Sequence, residues 1–497
     1  MSQLKPAQWA EQVVKQEEID KYLINGKSFI DEDKIWGKLK QNNNPDKQFI
    51  RDIIKKSLSI QRLEPDETAA LLNVKDESLW DEMYEAAAEV KRKVYDNRIV
   101  FFAPLYCSNL CVNSCLYCGF RKENSEEKRR ILDMDEIKRE TEAVIDEGHK
   151  RMIMVYGEHP LSDADYMVDS IKAVYEVQRK TKKGIGNIRR VNINAAPMCI
   201  DDLSKLKEAG IGTYQVFQET YNKELYKKLH PKGPKSDYLW RLYSLHRAMD
   251  AGVDDIAIGA LFGLYDWRFE VMGLLYHTID LEERFNGIGP HTISFPRMTP
   301  AAGSDLSTQS KYLVNDSDFK KLVTVLRLSV PYTGLIITAR EKPDIKKEVI
   351  KVGCTQTDAS TRIDIGGYSI ANIQEDKQQF MLGDTRKLDE VIKELADMDM
   401  ITSFCTAGYR CGRTGDKIMG LLHSGVEGKF CKLNAVLTLR EYLDDYASKE
   451  TKEAGEKLIL KEIDEIRKMP FYKEHKLMDT FDKYYDEISN GTRDKYL

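Results

Sequence analysis

Four of the nine cysteines in this 497-residue chain fall close together: Cys107, Cys111, Cys115 and Cys118. The last three stand as C-x3-C-x2-C, in the string CVNSCLYC. That spacing suits one iron–sulfur cluster held by three thiolates, with one iron left open to another ligand. An open iron of this kind can hold and reductively cleave S-adenosylmethionine (SAM), which makes the chain a candidate radical enzyme. Zinc is a competing reading. A structural zinc takes four ligands, usually as two separated pairs, and Cys107 could be the fourth, although the four crowd together for such a site. A disulfide framework belongs to short secreted chains, and nine is an odd count. An inert buried cluster is the remaining reading; Asn109, Asn113 and Ser114 in the same stretch argue against it.

The elements that would hold these thiols come next. Residues 1–95 read as helices, with Glu64, Pro65, Asp66 and Glu67 supplying the start that the run Thr68 to Leu72 needs. From about residue 97, β-branched runs alternate with amphipathic stretches. The strands expected are Ile99–Pro104, Met152–Tyr156, Val191–Ala195, Thr213–Gln218, Asp255–Gly259, Thr292–Pro296 and Leu335–Thr338, with an eighth near Arg362–Ile365. Helices are expected over Met134–Glu147, Asp165–Thr181, Tyr238–Ala251 and Asp318–Leu328. Repeated strand–helix units build a parallel sheet, and this many suggest a (β/α)8 TIM-type barrel, whose chemistry sits at the C-terminal ends of the strands. The cysteine segment follows the first strand and so lies on that face. After about residue 370 the pattern changes to a helix at 386–400, then a segment with Cys405, Cys411 and Cys431, then a charged helical tail from Arg440. The division expected is a helical region over 1–95, a barrel over 96–370 and a helical C-terminal domain over 371–497.

Composition sets outer limits. A net charge of −5 carries no field of the size nucleic acid requires. The N-terminal MSQLKPAQWAEQVVKQEE has no apolar signal core, and no stretch is apolar for long enough to span a membrane. A cytoplasmic, reducing location is expected, which suits an oxygen-labile cluster.

The C-x3-C-x2-C motif resembles the radical SAM superfamily. Longer stretches narrow the resemblance: VYGEHP (155–160), RVNINAAP (190–197), FQETYNKELYKKLHPKGPKSDYLWRL (217–242), DDIAIGALFGLYDWRFEVMGLLYH (254–277), GIGPHTISFPRMTPAAGSD (287–305) and TARE (338–341) are similar to the tyrosine lyases of that superfamily. The iron-only hydrogenase maturases and the thiamine-pathway 2-iminoacetate synthases are its branches, and the likeness covers roughly 50–445. It implies a 4Fe–4S cluster on Cys111, Cys115 and Cys118, with the SAM amine and carboxylate on the fourth iron. Tyr117 would pack near the adenine. Gly157 would let the backbone approach the ligand, and polar groups beside it, Glu158 first, would bind the SAM amine. Glu219 would bind the ribose or amine, Arg241 the carboxylate, and Asn194 would line the same pocket. Arg340 would clamp the substrate carboxylate. His291, in GPHTIS, would ligate an extra iron. A packing aromatic, a surface glutamate, structural ion pairs and a satisfied core histidine are the plainer readings of Tyr117, Glu158, Glu219 with Arg241, and His291. Cys107 is read as a buried thiol, and His159 and His230 receive no role.

The implied reaction is radical cleavage of the Cα–Cβ bond of L-tyrosine to dehydroglycine and p-cresol, with electrons from a ferredoxin or flavodoxin. In the maturases it continues to carbon monoxide and cyanide on iron at a second cluster, alongside other maturation proteins. Those enzymes carry C-x2-C-x22-C for that cluster. Here the matching positions are Cys405, Gly408 and Cys431, and a further thiol stands at Cys411, giving C-x5-C-x19-C. Either Cys405, Cys411 and Cys431 hold a second cluster, or it is altered or lost. The remaining alternatives are a lyase for tyrosine or another aromatic amino acid that stops at dehydroglycine (2-iminoacetate), and a non-catalytic iron–sulfur carrier.

Overall fold

The protein, seen here as a computed structural model, is described over residues 5–370 and 379–497. Its first strand, β1 (Arg98–Ser108), is buried along its whole length. β2 (Arg151–Tyr156), β3 (Arg190–Asn194), β4 (Tyr214–Gln215), β5 (Ile256–Gly259), β6 (Thr292–Ser294), β7 (Gly334–Ile337) and β8 (Gln356–Asp358) follow, each parallel to the one before. β8 then pairs with β1, from Val100↔Gln356 to Phe102↔Asp358, and closes the (β/α)8 barrel.

Seven of the expected strands lie where their apolar runs are. The eighth is a correction: it is Gln356–Asp358, not 362–365. The sequence Gln-Thr-Asp has no apolar run because its side chains make polar contacts inside the barrel. Gln356 Oε1 accepts from Arg151 Nη2 at 3.2 Å, and Asp358 accepts from the Ala339 N–H and from Thr361 Oγ1. The expected helix Tyr238–Ala251 is divided in two at Tyr243, and Asp165–Thr181 is helical only to Glu176 before a short hairpin. No helix among the described residues is long and apolar enough to cross a membrane.

Successive strand residues face opposite sides, so every second one points into the barrel. Phe102, Ile153 and Ile336 meet there as an apolar waist. The polar Arg151 and Gln356 stand below it, and Pro104 and Val155 above.

One further strand, β9 (Ile401–Ser403), pairs with the first residues of β1, Arg98↔Ile401 to Val100↔Ser403. Cys405 therefore starts from the N-terminal end of the barrel, while the segment with Cys111 leaves β1 at the other end. The helix Glu427–Asp445 packs against β9 and is buried on nearly every face, with its charged side chains paired. Glu427 Oε2 accepts from Arg98 Nη2 at 2.8 Å. Glu441 Oε2 lies 3.1 Å from Lys150 Nζ and 2.7 Å from Arg189 Nη2. Burial pushes the Glu441 carboxyl up, but Arg189 and Lys150 outweigh it and hold it at about 2.

Glu441→Gln would remove the carboxylate paired with buried Lys150 and leave Arg189 with Asp494 alone, and it is expected to cost about 3 kcal/mol in denaturant unfolding. Because the folded value is depressed, Glu441's contribution is present above its unfolded pKa and is lost as the pH falls toward about 2. A Glu441→Gln protein should therefore lose the part of the wild-type acid sensitivity that belongs to this site.

Candidate active site at the strand ends

The segment after β1 folds back over the barrel mouth because its backbone groups find partners there. The Val112 N–H donates to Glu158 O at 2.9 Å, and the Gly157 N–H to Ser108 O at 2.9 Å. The Ser114 and Leu116 N–H groups donate to Lys232 O and Leu229 O. Gly157 sits against the cysteine loop itself. A Cβ on it would lie 2.1 Å from Leu110 O and 2.9 Å from Leu110 C. The bare backbone of Gly157 makes room for the cysteine loop, and Gly157 also lines the cavity described next.

Cys111, Cys115 and Cys118 face one cavity of about 230 Å³, which Tyr117, Gly157, Glu158, Asn194, Glu219, Arg241 and Arg340 also line. Burial raises the thiols of Cys111 and Cys115, so a cation must replace their protons if they are to serve as thiolates. The irons of a cluster do this, and three thiols around one space are the donor set such a cluster needs. Cys107 does not join them. It faces the other side of β1, near Tyr156, as a buried thiol whose pKa burial raises. A tetrathiolate zinc on these four is thereby removed.

The polar wall of the cavity is an ion cluster. Glu219 has φ +70, a left-handed conformation, and its Oε1 accepts from Lys235 Nζ at 2.6 Å and from Arg241 Nη2 at 3.2 Å. Burial raises the Glu219 carboxyl, but Lys235 and Arg241 outweigh it and bring it to about 2. Arg241 also donates Nε to Phe217 O at 2.5 Å, which fixes the plane of its guanidinium. Asn113, between two of the cysteines, donates Nδ2 to Glu158 Oε2 at 2.5 Å and accepts the Lys235 N–H at 3.0 Å. Glu158 Oε1 is buried without a hydrogen bond among the described residues, and burial raises this carboxyl.

Tyr117 stands on the same wall with Lys235 Nζ 5.5 Å from its ring centroid. His230 Nδ1 meets the Tyr226 carbonyl at 2.7 Å, so Nδ1 carries the proton, and Nε2 accepts from the Tyr117 hydroxyl at 2.8 Å. Burial and then Lys235 lower His230 to about 3, which keeps it neutral. Arg340 stacks on Phe380 at 3.3 Å to the ring centroid, with Thr299 Oγ1 at 3.5 Å its hydrogen bond among the described residues. Gln379 closes the mouth, accepting from Tyr106 and reaching Cys118 Sγ at 3.6 Å. Asn113, Lys235 and His230 were missed from sequence, although the last two sit in the quoted HPKGPK.

The remaining expected residues lie at the opposite end. His291 precedes β6, with Nδ1 3.1 Å from Asp255 Oδ2. Burial lowers its pKa, but Asp255 outweighs burial and raises it. Arg190 pairs with the same carboxylate. Cys405 and Cys431 line a separate small cavity with Gly408, Asn434, Thr438 and Tyr496. A hydrogen bond from Cys431 holds the Cys405 thiol well below its usual range, against burial, with Arg98, Arg151 and Arg190 adding to it. Cys431 has one proton and a second acceptor, Glu427 Oε1 at 2.7 Å. Cys411 does not line this cavity and is exposed.

Comparison with known proteins adds to this geometry. Residues 105–271 match the radical SAM superfamily model, and residues 294–401 match the biotin and thiamin synthesis associated domain. A crystal structure of HydG, a maturase of the [FeFe]-hydrogenase, is 43% identical and covers 95% of this chain and 100% of its own, with a TM-score of 0.88. HydG from Carboxydothermus hydrogenoformans is 35% identical, covering 95% and 99%, with a TM-score of 0.76. The 2-iminoacetate synthase of Escherichia coli (strain K12) is 29% identical over 69% of this chain and 87% of that protein.

The contact at Gly157 yields a test. Gly157→Ala should displace the cysteine loop and abolish most iron incorporation, read by iron analysis, while circular dichroism stays unchanged. Gly420→Ala, where an added Cβ meets nothing within 4 Å, is the control.

Proposed function

The chain belongs to the radical SAM superfamily and, within it, to the HydG family of tyrosine lyases, and on that premise we propose that it cleaves the Cα–Cβ bond of L-tyrosine to dehydroglycine and p-cresol. The observation that carries this reading is the sharing of one cavity by three thiols, an ion cluster suited to SAM, and a guanidinium suited to an amino-acid carboxylate. Cys111, Cys115 and Cys118 would hold the 4Fe–4S cluster. Bound together with SAM, it would supply one-electron reduction and hydrogen abstraction from the tyrosine amine.

The chain's own residues bind and orient. Glu219, kept ionised by Lys235 and Arg241, receives the SAM ribose or amine. Arg241 has Nε and Nη2 engaged and directs Nη1 to the SAM carboxylate. Glu158 Oε1 and Asn194 complete the SAM side, and Tyr117, anchored by His230, packs at the adenine. Across the cavity Arg340, held flat by Phe380, takes the tyrosine carboxylate. Counted from the neutral amine, SAM and tyrosine give methionine, 5′-deoxyadenosine, dehydroglycine and p-cresol with two electrons and one proton. A ferredoxin- or flavodoxin-type donor supplies the electrons. A carrier protein is disfavoured, because it needs no carboxylate clamp in the same cavity as its cluster.

Reduced protein incubated with SAM and tyrosine should release 5′-deoxyadenosine and p-cresol in step; 5′-deoxyadenosine without p-cresol would remove tyrosine as substrate, and neither product would favour the carrier. Arg340→Leu should raise the KM for tyrosine by roughly 10- to 100-fold, the worth of a charge-assisted hydrogen-bonded pair. It should leave SAM binding intact, so 5′-deoxyadenosine then forms without matching p-cresol.

A further inference from the structure

The second cluster that the HydG-type motif implies does not fit the residues at the lower end of the barrel. Cys405, Gly408 and Cys431 are the positions that surround the lower cavity, and only two of them carry thiols. Gly408 has helical backbone angles, φ −51 and ψ −53, and an added Cβ would come no nearer than 3.9 Å to any neighbour. A cysteine would fit there, so glycine is not imposed by packing.

Cys411 is not positioned to replace it. Its N–H donates to Ala407 O at 3.0 Å and Gly408 O at 3.1 Å, which winds Tyr409–Cys411 into a 3-10 turn. In such a turn a residue three positions on lies about 6 Å further along the axis, well beyond the reach of one iron–sulfur bond. The turn is also fixed. Arg410, within it, donates Nε to Thr406 O at 2.7 Å, and Nη1 and Nη2 to Asp494 at 2.8 Å each, and its guanidinium covers the Tyr496 ring. Arg413 just after it donates to Leu497 O at 2.8 Å. On the inner side Tyr409 packs under Arg190, 5.0 Å from its guanidinium carbon, while Cys411 points to solvent. Bringing Cys411 inward would break these contacts together.

We propose that the lower cavity of this chain is a two-thiol site that holds no iron–sulfur cluster, with Gly408 standing where a third ligand would be. This holds whatever the upper site cleaves. Its chemical consequence does rest on the tyrosine reading: with no iron centre below to receive carbon monoxide and cyanide, dehydroglycine is the final product. It then leaves for a reaction that traps an imine, or hydrolyses to glyoxylate and ammonium.

The test is an iron and sulfide count on the full chain, reconstituted without oxygen. Wild type is expected to hold about four irons, one cluster, and Cys411→Ala to hold the same. In a Cys111→Ala, Cys115→Ala, Cys118→Ala background the count should fall to near zero. Adding Gly408→Cys to that background, with Tyr496→Ala to widen the cavity, should restore about four irons and the electron paramagnetic resonance signal of a reduced cluster. About eight irons in wild type, or about four in the triple variant that vanish with Cys411→Ala, would overturn the proposal. No gain with Gly408→Cys would overturn the role given to that position. These counts do not depend on turnover. Glyoxylate appearing with p-cresol, and no carbon monoxide, is the outcome expected in the activity assay; no p-cresol at all would count against the tyrosine reading and leave the iron counts standing.

Discussion

Three thiols can serve one cluster only if the backbone between them is held at the correct distance from the barrel, and here that distance is set by the absence of a side chain. Gly157 follows β2 and lies against Leu110, closer than any Cβ could tolerate. Around this contact the loop is tied by Val112 to Glu158 O and by Asn113 to both the Glu158 carboxylate and the Lys235 backbone. The same Asn113 therefore connects the cysteine loop with the residues suited to SAM. Cluster and SAM must share one geometry because an open iron is useful only if SAM meets it correctly; a single asparagine between two cysteines couples the two halves.

The electrostatics follow from burial. Nearly every charged group at the cavity is taken out of water, which would neutralise an isolated carboxylate. Glu219 stays ionised because Lys235 and Arg241 both face it, and Arg241 stays oriented because Phe217 O takes its Nε. Among the described residues Glu158 has no cation within hydrogen-bond reach, and burial raises it. Two carboxylates of one cavity are thus prepared differently: facing cations hold Glu219 as an anion, and burial raises Glu158.

Much of the architecture was legible in the sequence, for identifiable reasons. β2, β3 and β7 are dense in Val, Ile, Met and Leu, and period and composition agree there. β8 lies away from the expected stretch because Gln356 accepts from Arg151 and Asp358 from Ala339 and Thr361, a pattern that no hydrophobic signal announces. The three cysteines and the carboxylates of the upper site could be named from motifs. The role of His230 could not, since a histidine that accepts from Tyr117 and donates to its own helix looks no different in sequence from one that packs. The contact of Gly157 with Leu110 was not legible, because spacing cannot say that a glycine yields to another loop. The exposure of Cys411 was not legible either, because the turn that carries it is tied by Arg410 to Asp494, 84 residues away in the chain.

The two ends of the barrel can differ so freely because the strands connect them mechanically but not chemically. Phe102, Ile153 and Ile336 form an apolar waist between the cavity above and the arginines below. Above it the ligand-binding groups hang from strand ends and loops, where replacement leaves the barrel intact. Below it, Arg98, Lys150 and Arg189 belong to the pairs that dock the helix Glu427–Asp445. A third thiol can be absent at Gly408 without disturbing either set, because a Cβ there would stay 3.9 Å or more from its described neighbours. The lower end thus retains a structural duty, closing the barrel with buried ion pairs, whether or not it has a chemical one.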